Sequence, residues 1–111
     1  MEKRHIVLDT ETTGLEVEKG HRIIEIGGVV MNGRKKTTET FHVYVNPQRE
    51  IDKEAQEVHG ISNEDVQDKP LFSEIAEDLL EFIDGSTLVI HNADFDVGFL
   101  DAEFKIASST Y

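Results

Sequence analysis

The sequence has 111 residues, 38% of them hydrophobic, which confines it to one domain and lets folding bury roughly two-thirds of the unfolded surface. It contains no cysteine, which excludes disulfides and thiolate metal sites and fits a reducing compartment. A formal charge of -12 argues against a generic basic nucleic-acid surface, because a polyanion is ordinarily met by lysine and arginine. No signal-like or bilayer-length apolar stretch is present, so a cytoplasmic domain is the expectation. The short basic clusters Lys3-Arg4 and Arg34-Lys35-Lys36 read as solvated turn residues.

Residues 5–11 are apolar on both parities, which predicts a central strand covered on both faces. Glu16 to His21 is polar and reads as a loop. The next segment predicts a hairpin, with a strand near Arg22 to Met31, an Asn32-Gly33 turn and a partner near Thr37 to Asn46. In that partner Phe41, Val43 and Val45 alternate with Thr40, His42 and Tyr44, the pattern of an edge strand with one wet face. Asp52 and Ser62 are expected helix N-caps, Ser62 with Asp65 three places on, and two short helical turns bracket "VHGI".

After Pro70, Phe72, Ile75, Ala76, Leu79, Leu80 and Ile83 recur on one helical face, while Glu74, Glu77, Asp78 and Glu81 take the other. "TLVIHN" follows as a short buried strand, and Ala93 to about Ile106 as a further helix. The fold class is therefore α/β: a mixed sheet with flanking helices. The helix from Phe72 serves as a crossover that lays Thr87 to His91 parallel to the first strand, so their carboxyl ends lie together. The chain shows no internal repeat or domain linker.

The first strand ends in "IVLDTETTG". Asp9 and Glu11 are two apart and share a face, with Cβ atoms roughly 7 Å from each other. Two like charges in a partly dehydrated cleft either share a proton or hold a cation. Magnesium and manganese suit carboxylate oxygens. The second strand runs into "HNADFD", where Asp96 is the better candidate than Asp94. Phe95 and Phe99, four apart, pack inward, and Asp94 serves the helix N-terminus. Asp9, Glu11 and Asp96 are thus expected to form one acidic cluster. The plainer alternative is that Asp9 and Glu11 are the polar end of a strand entering a loop. A phosphatase of the haloacid-dehalogenase type, with Asp9 as covalent nucleophile, is a further alternative. Glu11 in place of a second aspartate, and the Asn-Gly hairpin where a helix should follow, argue against it.

"VLDTETTGL", "IIEIGGV", "FHVYVNP", "EVHGI" and "LVIHNADFDVGFLDAEF" together resemble the DnaQ-type exonucleases, the DEDDh class on an RNase H-like fold. Among these the resemblance is greatest to the proofreading subunits of bacterial replicative polymerases, and it covers nearly all of the chain. It implies removal of nucleotides from a DNA 3′ end by two Mg²⁺ or Mn²⁺ ions about 4 Å apart. On matching positions it implies metal ligation and catalysis by Asp9, Glu11 and Asp96. It implies a turn at Thr12 and Thr13 that approaches the terminal nucleotide, and substrate contacts from Glu54 and His59. The implied partners are single-stranded DNA 3′ ends and a polymerase subunit, the latter through regions beyond this chain.

The family's third motif, a histidine followed five positions later by an aspartate, has no separate counterpart here. His91 and Asp96 have that spacing, but Asp96 already belongs to the second motif and His91 closes a strand. The expectation is therefore the N-terminal part, residues 1–111, of a single exonuclease domain, with its last strand and helix missing, "FKIASSTY" a truncated or diverged end, and little activity alone. A catalytically inactive metal- or DNA-binding remnant, or an interaction module, is the alternative. His5, His21 and His42 have no partner pattern and receive no role.

Overall fold

The structure, a computed structural model, describes residues 4–108. Lys3 of the first basic cluster and Ser109 to Tyr111 of "FKIASSTY" lie outside the described residues. Four strands, β1 (Arg4–Thr12), β2 (Ile23–Asn32), β3 (Lys35–Tyr44) and β4 (Thr87–Ile90), form one sheet in the order β3-β2-β1-β4. β1 pairs antiparallel with β2 and parallel with β4, with Ile6 beside Leu88 and Leu8 beside Ile90. β3 is an edge, as its alternation predicts.

The hairpin turn falls one residue later than the sequence suggested. Asn32 stays in the ladder opposite Lys35, and the left-handed conformation falls on Gly33, at φ 63°. Within the Glu16–His21 loop, Val17–Lys19 forms a short 3₁₀ turn. Two short helices follow the hairpin, α1 (Lys53–His59) and α2 (Asn63–Val66). Ser62 caps α2 reciprocally with Asp65, as expected. Asp52 occupies the N-cap position of α1 but makes no capping bond through its side chain.

The longer helices are α3 (Phe72–Ile83) and α4 (Ala93–Ser108). Both pack on the face of the sheet that carries Ile6 and Leu8. Phe72, Ile75, Ala76 and Leu79 of α3 meet Phe99 and Leu100 of α4 there. Gly28 belongs to this contact: a Cβ on it would lie 2.8 Å from the Phe82 ring. A second, smaller cluster joins Ile24, Ile51, Ile61 and Val66 beneath the short helices.

Three expectations of burial are corrected. Val7 is 45% and Val89 47% exposed, because α3 and α4 occupy the opposite face of the sheet. β1 and β4 are thus covered on one face only among the described residues. Leu80 of α3 is also half exposed, because it lies to the side of the stripe that runs through Ile75, Ala76, Leu79 and Ile83. Among the described residues no helix is long and apolar enough to cross a membrane.

Leu79→Ala should lower the unfolding free energy by about 2–5 kcal/mol, whereas Val89→Ala should change it by about 0.5 kcal/mol or less. Urea titration monitored by circular dichroism distinguishes the two.

Candidate active site

The alternation of β1 places Asp9 and Glu11 on the same face as Val7, opposite the core. Asp9 lies across from Gly27 and Glu11 across from Glu25. Because β4 runs parallel to β1, the turn after it delivers the first turn of α4 to the same end of the sheet. Asp96, in that turn, is only 4% exposed and accepts a hydrogen bond from the Thr10 hydroxyl. The Phe95 and Phe99 rings meet tilted, with centroids 4.8 Å apart, Phe99 in the core and Phe95 partly buried against it, so the inward packing expected of this pair is present. His91 lies just past β4 and is exposed, so it does not close a buried strand.

Two of the three acids are shifted by their acidic neighbours. Glu11 is pushed above the usual carboxylate range first by burial and then by the Asp9 charge, with Glu25 and Asp96 adding to the shift and His59 opposing it. Asp96 is raised as well, first by burial and further by Asp9, against the lowering effects of the Thr10 hydrogen bond and His91. Yet among the described residues no three His, Cys, Asp or Glu side chains are grouped so as to hold a metal ion. The acidic cluster expected of Asp9, Glu11 and Asp96 is thus not closed around a metal position in this arrangement. Thr10 projects from β1 opposite to Asp9 and Glu11, and its hydroxyl holds the Asp96 carboxylate on that side.

An open cavity of about 400 Å³ adjoins Glu11, bounded by Thr12, Leu15, Val58, His59 and Phe95 among others. Leu15 is 82% and Val58 85% exposed, an unusual degree of exposure for two large apolar side chains at one opening. Thr12 reaches the cavity wall, but its hydroxyl donates to the Gly14 carbonyl at 2.6 Å. Thr13 is fully buried behind it. Glu54 lies exposed on α1 at the cavity. His59 Nδ1 accepts from the Ile61 N–H at 3.0 Å, which leaves the proton on Nε2 to donate to the Thr12 carbonyl at 3.1 Å. His59 thus fastens the end of α1 to the end of β1 while lining the cavity.

Two elements escaped the sequence reading. Glu103 is 2% exposed and receives Arg22 Nε at 2.9 Å, Arg22 Nη2 at 2.7 Å and the Ile23 N–H at 2.9 Å. This bidentate pair pins α4 to the start of β2 and so helps to set where Asp96 lies. A signal existed: Asp96, Phe99, Leu100, Glu103 and Ala107 fall on one helical stripe, so two acids share the buried face. The other element is His21, buried and hydrogen-bonded to Thr13, for which local spacing carried no signal.

A family model described as Exonuclease, of the RNase T type, matches residues 6–110. The DNA polymerase III subunit epsilon of Rickettsia typhi is 53% identical over 107 residues, covering 96% of this chain and 47% of that protein. This chain therefore spans about half the length of that relative. A solved structure of exonuclease X in complex with 5′ overhanging duplex DNA is 34% identical, with a TM-score of 0.66 over 83% of this chain and 51% of that one. The nuclease domain of 3′hExo, a DEDDh family member bound to rAMP, shares the fold at a TM-score of 0.78 and 20% identity, covering 96% of this chain and 60% of that domain.

Replacing Glu103 with alanine leaves the Arg22 guanidinium without its buried partner and should cost about 3–5 kcal/mol in chemical denaturation. Glu103→Gln, which keeps an acceptor, should lose less. The acidic cluster makes a separate forecast. Raised folded-state carboxyls bind more protons than the unfolded chain between the ordinary and the raised pKa values, so their contribution to stability falls as pH rises through that window. Asp9→Asn should flatten this fall and raise the melting temperature at neutral pH, as read by circular dichroism across a pH series.

Proposed function

The chain belongs to the Exonuclease family of the RNase T type, and from that premise we propose that its site removes nucleotides from DNA 3′ ends by metal-assisted phosphodiester hydrolysis. The observation that carries this reading is that Asp9 and Glu11 share one face at the end of β1, with Asp96 brought to the same end of the sheet within reach of the Asp9 charge, beside a cavity with exposed apolar walls. The names borne by the relatives support DNA as substrate. They also support a proofreading role beside the polymerase subunit of DNA polymerase III. On this reading residues 1–111 form the N-terminal part of one exonuclease domain.

The donor chemistry fits a hard divalent cation. Carboxyls raised by a neighbouring carboxylate are relieved by a positive charge between them, and no lysine or arginine is among the groups that shift Glu11 or Asp96. Asp9, Glu11 and Asp96 are the residues that would hold it, Asp96 by exchanging its Thr10 contact. Two Mg²⁺ or Mn²⁺ ions, when bound, supply the positive field that lets an acidic protein accept a phosphodiester, polarise the attacking water and stabilise the departing 3′ oxygen.

The protein's own side chains have different work. Leu15 and Val58 offer apolar surface on which the terminal base rests without its sequence being read. Thr12, with its carbonyl held by His59, fixes the wall nearest Glu11. Glu54 and His59, which also line the opening, would contact the sugar and phosphate of the terminal nucleotide. These contacts orient the 3′ end against the carboxylates, and orientation is a large part of catalysis in such reactions.

A second reading is favoured by one observation, the engagement of Asp96 by Thr10 with no triad grouped for a metal among the described residues. It makes the chain a binding module that holds DNA ends or a cation without cleaving. Titration with Mn²⁺ should raise the melting temperature, and Asp9→Ala with Glu11→Ala should abolish the rise; an unchanged response removes the metal site. Degradation of 3′-labelled single-stranded DNA should appear when a C-terminal extension carrying the histidine–aspartate motif is joined to this chain, and Asp96→Asn should remove it. Equal or faster loss of labelled RNA would overturn the assignment of DNA.

A further inference from the structure

We propose that His21 is a positioning residue that locks together the two walls of the substrate cavity, the Thr12–Leu15 turn and helix α1. Its consequence for DNA rests on the exonuclease reading above; the mechanical coupling itself does not.

His21 stands just before β2, is 8% exposed, and has both ring nitrogens engaged. The Thr13 hydroxyl lies 2.8 Å from Nδ1, and Asp52 Oδ2 lies 3.3 Å from Nε2. The direction of the chain follows from donor counting. The Arg22 N–H donates to Thr13 Oγ1 at 3.0 Å and takes one of its two lone pairs, while the Asp52 carboxylate beside Nε2 only accepts, which places the ring proton on Nε2. Nδ1 of the neutral ring then accepts from the Thr13 hydroxyl, and the Nε2 side of the ring meets the Asp52 carboxylate at ion-pair distance. The imidazole therefore joins a residue of the turn to the residue that begins α1.

Two backbone bonds run alongside it. The Thr13 N–H donates to the Arg22 carbonyl at 2.8 Å, and the Asp52 N–H donates to the Thr13 carbonyl at 2.9 Å. Arg49, whose Nη2 is 3.9 Å from Asp52 Oδ1, approaches the carboxylate from the other side. The ring also lies directly against Gly14: a Cβ there would sit 2.3 Å from Cε1 and 2.4 Å from Nε2. Glycine in the "TTG" segment is thus required by the histidine, because any side chain would displace the ring from between its partners.

The two walls matter because they carry different parts of the opening. The turn presents Thr12 and Leu15, and α1 presents Glu54, Val58 and His59. Leu15 and Val58 are each more than four-fifths exposed, so packing does not hold their spacing. His21 holds it from behind, where an apolar filler of the same volume would occupy the space but link nothing. Asp52, lacking a capping bond, has its side chain directed to this link instead of to the helix N–H groups.

The test uses the full 111-residue chain and four variants: H21N, D52A, D52N and the double variant H21N/D52A. Asp52 is 45% exposed, so D52A breaks the link with little risk to the fold. Hydrogen exchange should quicken together in residues 12–16 and 53–59 for H21N and for D52A, with the β1 and β2 core amides unchanged. Binding of a 3′-fluorescent oligothymidylate with Ca²⁺ should weaken about tenfold in each single variant and no further in the double one, the signature of a shared interaction. D52N, which keeps an acceptor oxygen, should lose less than D52A.

Exchange in 53–59 that is unaltered by H21N, or binding losses that multiply in the double variant, would overturn the proposal. If the parent chain shows the linked exchange but binds no oligonucleotide, the positioning role stands and the exonuclease reading fails instead.

Discussion

The parallel pairing of β4 with β1 is the constraint on which the site depends. Antiparallel neighbours would bring opposite strand ends together, whereas Leu8 beside Ile90 puts two carboxyl ends at one edge of the sheet. The acids then come from sequence positions 9, 11 and 96 without any loop having to span the gap. The crossover that makes this pairing possible is α3, and its burial of Phe72, Ile75, Ala76 and Leu79 against the Ile6 and Leu8 face holds the arrangement. Site geometry and core stability therefore share one set of contacts.

A net charge of -12 and an anionic substrate class are reconciled locally, not globally. Glu11 and Asp96 lie above the ordinary carboxylate range because burial and the Asp9 charge disfavour their charged forms. Such a cluster costs stability in the folded chain. It is tolerated because Asp96 is held by Thr10 and because α4 is anchored elsewhere, through Glu103 and Arg22. The two acids on the buried stripe of α4 thus play different parts: Glu103 is satisfied by a cation, and Asp96 by the Thr10 hydroxyl while the Asp9 charge opposes its ionisation.

The cavity shows the same division between local and distant causes. Its apolar walls sit on a turn and a short helix that are not part of the main core. The backbone bonds of Thr13, the His59 clasp and the buried His21 ring supply rigidity where packing does not. Gly14 belongs to this system through close approach, since a Cβ on it would run into the His21 ring.

Periodicity by itself determined the α3 stripe, the edge character of β3 and the Ser62–Asp65 cap, because each depends on neighbours within a few residues. It also determined that Asp9 and Glu11 share a face, since alternation along a strand requires it. Only the tertiary structure decided the rest. Which face of β1 the helices cover is a matter of crossover and packing, so Val7 and Val89 read as buried and are not. Thr10's hold on Asp96 joins residues 86 apart, Arg22's on Glu103 81 apart, and Asp52's on His21 spans 31, distances at which a linear pattern carries no information about hydrogen bonding. Side-chain partners across such separations are chosen by where the folded backbone puts them.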